Sequence, residues 1–120
     1  GLGPKGNLTP ETLRISAAAV AKSCIADKID SVTFLLPIEA KENVMSQAAS
    51  EGMVLGSYQF NEFKSKKDDL FELRHASIAG GNKKAVERGA IIGNSVCFAR
   101  DLENRPGNIA TPSHLADNAL

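Results

Sequence analysis

The 120-residue chain reads as a single α/β domain, and three observations carry that reading. Segments with helical apolar spacing alternate with short β-rich runs, their boundaries bear cap or breaker residues, and no repeat or low-complexity tract interrupts the alternation. Apolar residues make up 42% and charged residues 23%, the balance of a water-soluble globular domain that needs neither disulfides nor metal to build a core.

Gly1-Leu2-Gly3 reads as the end of a strand, so the chain is expected to begin within a longer protein, and whether a targeting segment precedes it is left open. Thr9 is then an N-cap, with Pro10 at the first helical position where its missing N–H costs nothing. Leu13, Ala17, Val20, Ala21 and Cys24 recur at helical spacing and form one apolar stripe, expected to pack on a sheet. Ser31 to Leu36 is rich in β-formers and is stopped by Pro37; its apolar side chains on both faces predict a central strand covered on both sides.

A second helix is expected from Glu39 to about Ser57, with Val44, Ala48, Gly52 and Leu55 on one side. Gly52 and Gly56 would let another backbone approach closely. Tyr58, Phe60 and Phe63 form an aromatic cluster at the core edge. The basic run Lys64 to Lys67 is cancelled by Asp68-Asp69 and reads as a solvated turn. Leu70 to Ala76 alternates, with Phe71, Leu73 and His75 against Glu72 and Arg74, which suits a strand with one wet face.

Asn82 to about Glu103 is a long helix, on the order of 30 Å. Gly89 to Ala99 carries no charge, so its second half is expected to be buried, in this domain or against a neighbouring domain or subunit. Arg105-Pro106-Gly107-Asn108 stops the helix, and Thr111-Pro112 repeats the Thr9-Pro10 signature to open a short last helix.

Fourteen basic residues balance fourteen acidic ones, so no positive field exists to hold a phosphate backbone, and nucleic acid is not an expected partner. No apolar run reaches the roughly 18 residues of a membrane span, and a reducing cytoplasm is the default location. Cys24 and Cys97 lack metal or disulfide-framework spacing and read as reduced, buried thiols. His75 has no ligand partner at metal spacing and reads as a core or rim histidine. Gly1, Gly3 and Gly6 satisfy the spacing G-x-G-x-x-G, but Pro4 removes a donor and Gly6 precedes the helix cap, which favours a plain turn over a phosphate cradle. Neither Asp68-Asp69 nor Asp101 with Glu103 converges on a site, and Asp117 stands alone. No catalytic, cofactor-binding or metal residue is assigned.

Glu51-Gly-Met-Val-Leu-Gly-Ser-Tyr-Gln-Phe60 with Phe63-Lys-Ser-Lys66, and downstream Ala99-Arg-Asp-Leu102, Asn104-x-Pro-x-Asn108, Thr111-Pro112 and Leu115-Ala116, resemble two blocks of the leucine (cytosol) aminopeptidase family. Gly1-Leu2-Gly3, Arg14 and the alanine-rich first helix also fit that family, so the resemblance covers essentially the whole chain; Glu103 and Arg105 depart from its usual block. The resemblance implies a cytosolic homohexameric exopeptidase that removes N-terminal residues from peptides using two divalent ions, zinc or manganese. Family enzymes hold those ions in a C-terminal domain with an Asn-Thr-Asp-Ala-Glu-Gly-Arg motif, a string this chain does not contain, so no catalytic or metal residue carries over. It further implies a three-layer α/β/α sandwich resembling macro domains, with a mostly parallel or mixed sheet, truncated at both ends. Residues 1–104 would be part of that domain and 105–120 the interdomain linker and the start of a connecting helix, with the catalytic domain absent. Two other readings stand beside it: a stand-alone macro-like module holding a nucleotide or ADP-ribose at Gly1 to Gly6, and an assembly scaffold that uses the uncharged half of the long helix.

Overall fold

The computed structural model describes residues 2–4, 6–37, 40, 42–65 and 70–119. Among these the order is α1 (Pro10–Ala26), β1 (Ser31–Leu35), α2 (Asn43–Ser57), β2 (His75–Ala79), α3 (Lys83–Asn104) and α4 (Pro112–Ala119). Both caps read from the sequence are made: Thr9 Oγ1 accepts from the Thr12 amide at 3.1 Å and Thr111 Oγ1 from His114 at 3.2 Å. Asn82, expected as the first residue of α3, is instead its cap, Oδ1 accepting from the Ala85 amide at 3.1 Å. α1 closes through Lys28 in the left-handed region, with the Ile29 amide donating to the Cys24 carbonyl at 2.8 Å.

β1 and β2 are parallel, with Ser31 opposite His75 and Leu35 opposite Ala79. The second strand therefore lies later than the alternation of Leu70 to Ala76 predicts. The cause is register: the amides of Arg74 and His75 both donate to Asp30, the last residue before β1, so pairing can begin only at His75. Phe71 and Leu73 still turn inward and Glu72 and Arg74 outward, as expected, whereas His75 is exposed. Nor, among the described residues, is β1 covered on both sides. Val32 and Phe34 face the core, while Ser31, Thr33 and Leu35 point away, Leu35 at 74% exposure, because the helices lie against one face of this two-stranded sheet.

The core comprises Leu13, Ala17 and Ala21 of α1, Ala49 and Met53 of α2, and Leu36 and Ala40 from the β1–α2 connection. The apolar stripe of α1 is buried as expected at Leu13, Ala17, Ala21 and Cys24, with Val20 half-buried, but its principal neighbour is α2 rather than the sheet. Glycine decides that. A methyl group on Gly52 would lie 2.1 Å from the Arg14 carbonyl oxygen, and one on Gly56 would lie 2.5 Å from Ala18 Cα, so the two helices meet backbone to backbone.

The other side of α2 receives α3 in the same manner. A methyl on Gly89 would meet the Gln47 carbonyl oxygen at 2.4 Å, Ser50 Oγ donates to the Val86 carbonyl at 2.8 Å, and the fully buried Ser46 Oγ accepts from the Asn82 amide at 3.0 Å. Of α3, Ala85, Gly89 and Gly93 are buried, so most of its uncharged second half is left uncovered by the described residues. α2 has 15 residues and α3 has 22, and α2 is the helix α3 chiefly packs against among the described residues, so a narrow line of α3 is buried.

Candidate functional site

The glycine loop borders a cleft of about 450 Å³ lined by Leu2, Leu8, Pro37 and Met45, with Glu42 as the charged residue among its described lining. Gly3 (φ +85°) and Gly6 (φ +102°) use the conformational freedom of glycine to turn the chain, and the Asn7 amide donates back to the Pro4 carbonyl at 3.2 Å. A donor that a phosphate would need is thus spent inside the turn, Pro4 has none, and a carboxylate borders the cleft. These features fit an apolar or cationic occupant better than a nucleotide diphosphate. Gly1 and Lys5 of this motif lie outside the described residues, as do Asp68 and Asp69.

The other candidates are dispersed. His75 opens β2 at the surface, Cys24 lies on the buried stripe of α1, and Cys97 is half-buried on α3, where burial pushes its thiol up. Glu103 and Asp117 are exposed. Among the described residues no group of three or more His, Cys, Asp or Glu is placed to hold a metal ion. Nor is any described helix long and apolar enough to cross a membrane.

Three polar clusters are instead spent on joining elements. Glu51, 6% exposed between α1 and α2, accepts from Arg14 Nε at 2.9 Å and Nη2 at 2.8 Å through one oxygen, and from Gln47 Nε2 at 2.7 Å through the other. Those hydrogen bonds hold the Arg14 guanidinium above its ordinary range, and Glu11 pairs with the same guanidinium. Tyr58 donates to Asp101 at 2.8 Å, accepts from Asn104 at 3.1 Å, and lies beneath the Arg100 guanidinium, 5.5 Å from the ring centroid, which binds the end of α2 to the end of α3. Burial, then the bond to Asp101, raises the Tyr58 hydroxyl above the usual tyrosine range.

Arg105, one residue past α3, reaches back to Glu62 at 2.9 Å and forward to His114 Nε2 at 2.7 Å. The guanidinium can only donate, so that histidine nitrogen accepts, and Asn118 Nδ2 lies 3.2 Å from the same atom. One side chain thereby joins the loop after α2, the end of α3 and α4. The sequence reading missed this role, for nothing in the spacing of Glu62, Arg105 and His114 predicts their meeting. Phe60 and Phe63 do cluster as expected, edge to face at 5.7 Å.

The model of the cytosol aminopeptidase family, N-terminal domain, matches residues 1–67. The chain belongs to this family. Among curated relatives, a probable cytosol aminopeptidase of Aquifex aeolicus is 34% identical over 121 residues, which take in 99% of this chain and 24% of that protein. Another, of Bdellovibrio bacteriovorus, is 36% identical over 129 residues, 100% of this chain and 26% of that protein. The chain therefore spans about a quarter of the length of its cytosol aminopeptidase relatives. Its fold superposes on the bottromycin maturation enzyme BotP, solved in complex with Mn, with a TM-score of 0.83 and 31% identity over 98% of this chain and 25% of that one. The similarity to cytosol aminopeptidases thus extends past the family model through α3 and α4.

Proposed function

We propose that this chain is the non-catalytic N-terminal domain of a metal-dependent leucyl aminopeptidase that removes N-terminal residues from peptides. The observation that carries the proposal is the match of the whole chain to about a quarter of proteins named cytosol aminopeptidases. The donor chemistry agrees with it: the described carboxylates with assigned partners, Glu11, Glu51, Glu62, Glu87 and Asp101, bind arginine, lysine, glutamine or tyrosine. Two divalent ions, zinc or manganese, would sit in a catalytic domain outside these residues and supply the activated water. The domain would support assembly of a cytoplasmic hexamer and shape access to the active sites.

On this reading residues 1–104 belong to a three-layer, macro-like sandwich, and 105–120 are the connector to the catalytic domain. Arg105 suits that boundary, since it anchors the connector where α3 stops. The full-length protein should hydrolyse leucine p-nitroanilide, lose that activity to a chelator and regain it with Mn²⁺ or Zn²⁺. A full-length protein inert toward N-terminal leucine under every metal would overturn the proposal.

A further inference from the structure

Among the described residues, α4 is tied to the elements before it by one side chain. No described residue of α4 is buried, and no other described element packs along its length. Its backbone bonds are local: the Leu115 amide donates to the Thr111 carbonyl at 3.0 Å, and ahead of it the amides of Ile109 and Ala110 turn back to the Pro106 carbonyl at 2.8 and 3.0 Å. The hydrogen bond that reaches from α4 past residue 106 joins His114 Nε2 to Arg105 Nη1, at 2.7 Å.

That bond exists in one protonation state. A guanidinium has hydrogens and no lone pair to offer, so Nε2 accepts and the ring is neutral, with its proton on Nδ1. Asn118 makes the same demand, since its amide nitrogen donates to the His114 carbonyl at 2.7 Å and lies 3.2 Å from Nε2. Protonating Nε2 would place a third N–H among donors and a second positive charge at hydrogen-bond distance from the guanidinium. Arg105 has little room to withdraw, because its side chain is 21% exposed and its Nε is held by Glu62 at 2.9 Å. The charged groups at the ring among the described residues are Arg105 after α3, Glu62 behind it in the loop after α2, and the exposed Asp117 on α4 itself. Glu62 is already paired, and Asp117 moves with His114 on the same helix, so neither holds α4 in place once the ring is charged.

We infer that the Arg105–His114 pair is a pH-sensitive latch: a neutral His114 fastens α4 to the end of α3, and a protonated one lets it go. Histidine changes charge between about pH 5 and 8. The bond needs the neutral form, so the fastened state belongs to the upper end of that range and is lost as pH falls. The inference rests on the geometry of the pair and stands apart from the proposed function.

Hydrogen exchange in the full-length protein at pH 8 and pH 5, with each rate divided by the intrinsic rate at that pH, tests the latch. A helix of eight residues does not persist alone in water, so release should read as lost protection. Protection of the amides of residues 115–119 is expected to fall at least tenfold at pH 5, while that of α2, which takes no part in the pair, stays within threefold. His114→Gln is the control, because its amide oxygen can accept from Arg105 where Nε2 did and does not titrate; its α4 should stay protected at both pH values. An α4 equally protected at both pH values in the native protein, one already unprotected at pH 8, an equal loss in α2, or the same loss in His114→Gln would each overturn the inference.

Discussion

Gly52 of α2 lies against the backbone of Arg14 in α1, so closely that an added methyl group would come within 2.1 Å of the carbonyl oxygen. Backbone cannot yield as the tip of a side chain can. Alanine favours a helix over glycine by about 1 kcal/mol, but overpacking at a backbone contact costs roughly 1–3 kcal/mol and separates the helices along their length.

Gly52→Ala is therefore expected to destabilise the domain by about 2 kcal/mol in chemical denaturation, against its helix propensity. Gly107→Ala is the control. Its added methyl meets nothing within 4 Å, and no loss is expected. Equal stability of the two variants would refute the backbone-to-backbone seam.

The same seam is bridged by Glu51, whose two oxygens accept three hydrogen bonds from Arg14 and Gln47. In Glu51→Gln an amide NH₂ replaces one oxygen and must face a donor. A loss of about 2 kcal/mol is expected, the range for a charged hydrogen bond lost at a part-buried site. Denaturant midpoints measured at neutral pH, where Arg14 is fully charged, check this.

How legible this was depends on the kind of interaction. Caps are local, and Thr9, Asn82 and Thr111 all act where the sequence places a helix start. The approach permitted by Gly52 and Gly56 was legible too, although not the identity of the helix that makes it. Strand register was not, because Leu70 to Arg74 alternate as a strand does, while pairing is set by Asp30 more than forty residues away. The coverage of α3 could not be read either: a run without charge shows that a helix can be covered, and here one line of it is. The Arg105 hub joins residues 43 and 9 positions apart by side chains alone, and no periodicity records such a contact. Nor does the sequence record that Asp101 accepts from Tyr58, a contact between residues 43 positions apart.

Tyr58 gives a pH dependence whose sign can be worked out. Its hydroxyl is raised in the folded state by burial and by donation to Asp101. A group with a raised folded pKa contributes stability below its unfolded value, about 10 for tyrosine, and loses it as pH rises through the folded value. The melting temperature should thus fall more steeply above about pH 10 in the native protein than in Tyr58→Phe. Parallel slopes from pH 9 to 12 would show that the Tyr58–Asp101 bond does not join the ends of α2 and α3 in solution.

The proposed function makes these 120 residues a platform whose chemistry would lie elsewhere in the polypeptide. The most direct test is the rate of leucine p-nitroanilide hydrolysis by the purified 120-residue chain with Mn²⁺ or Zn²⁺ added. No rate above the metal-only blank is predicted. Turnover that follows the concentration of the chain would contradict the account.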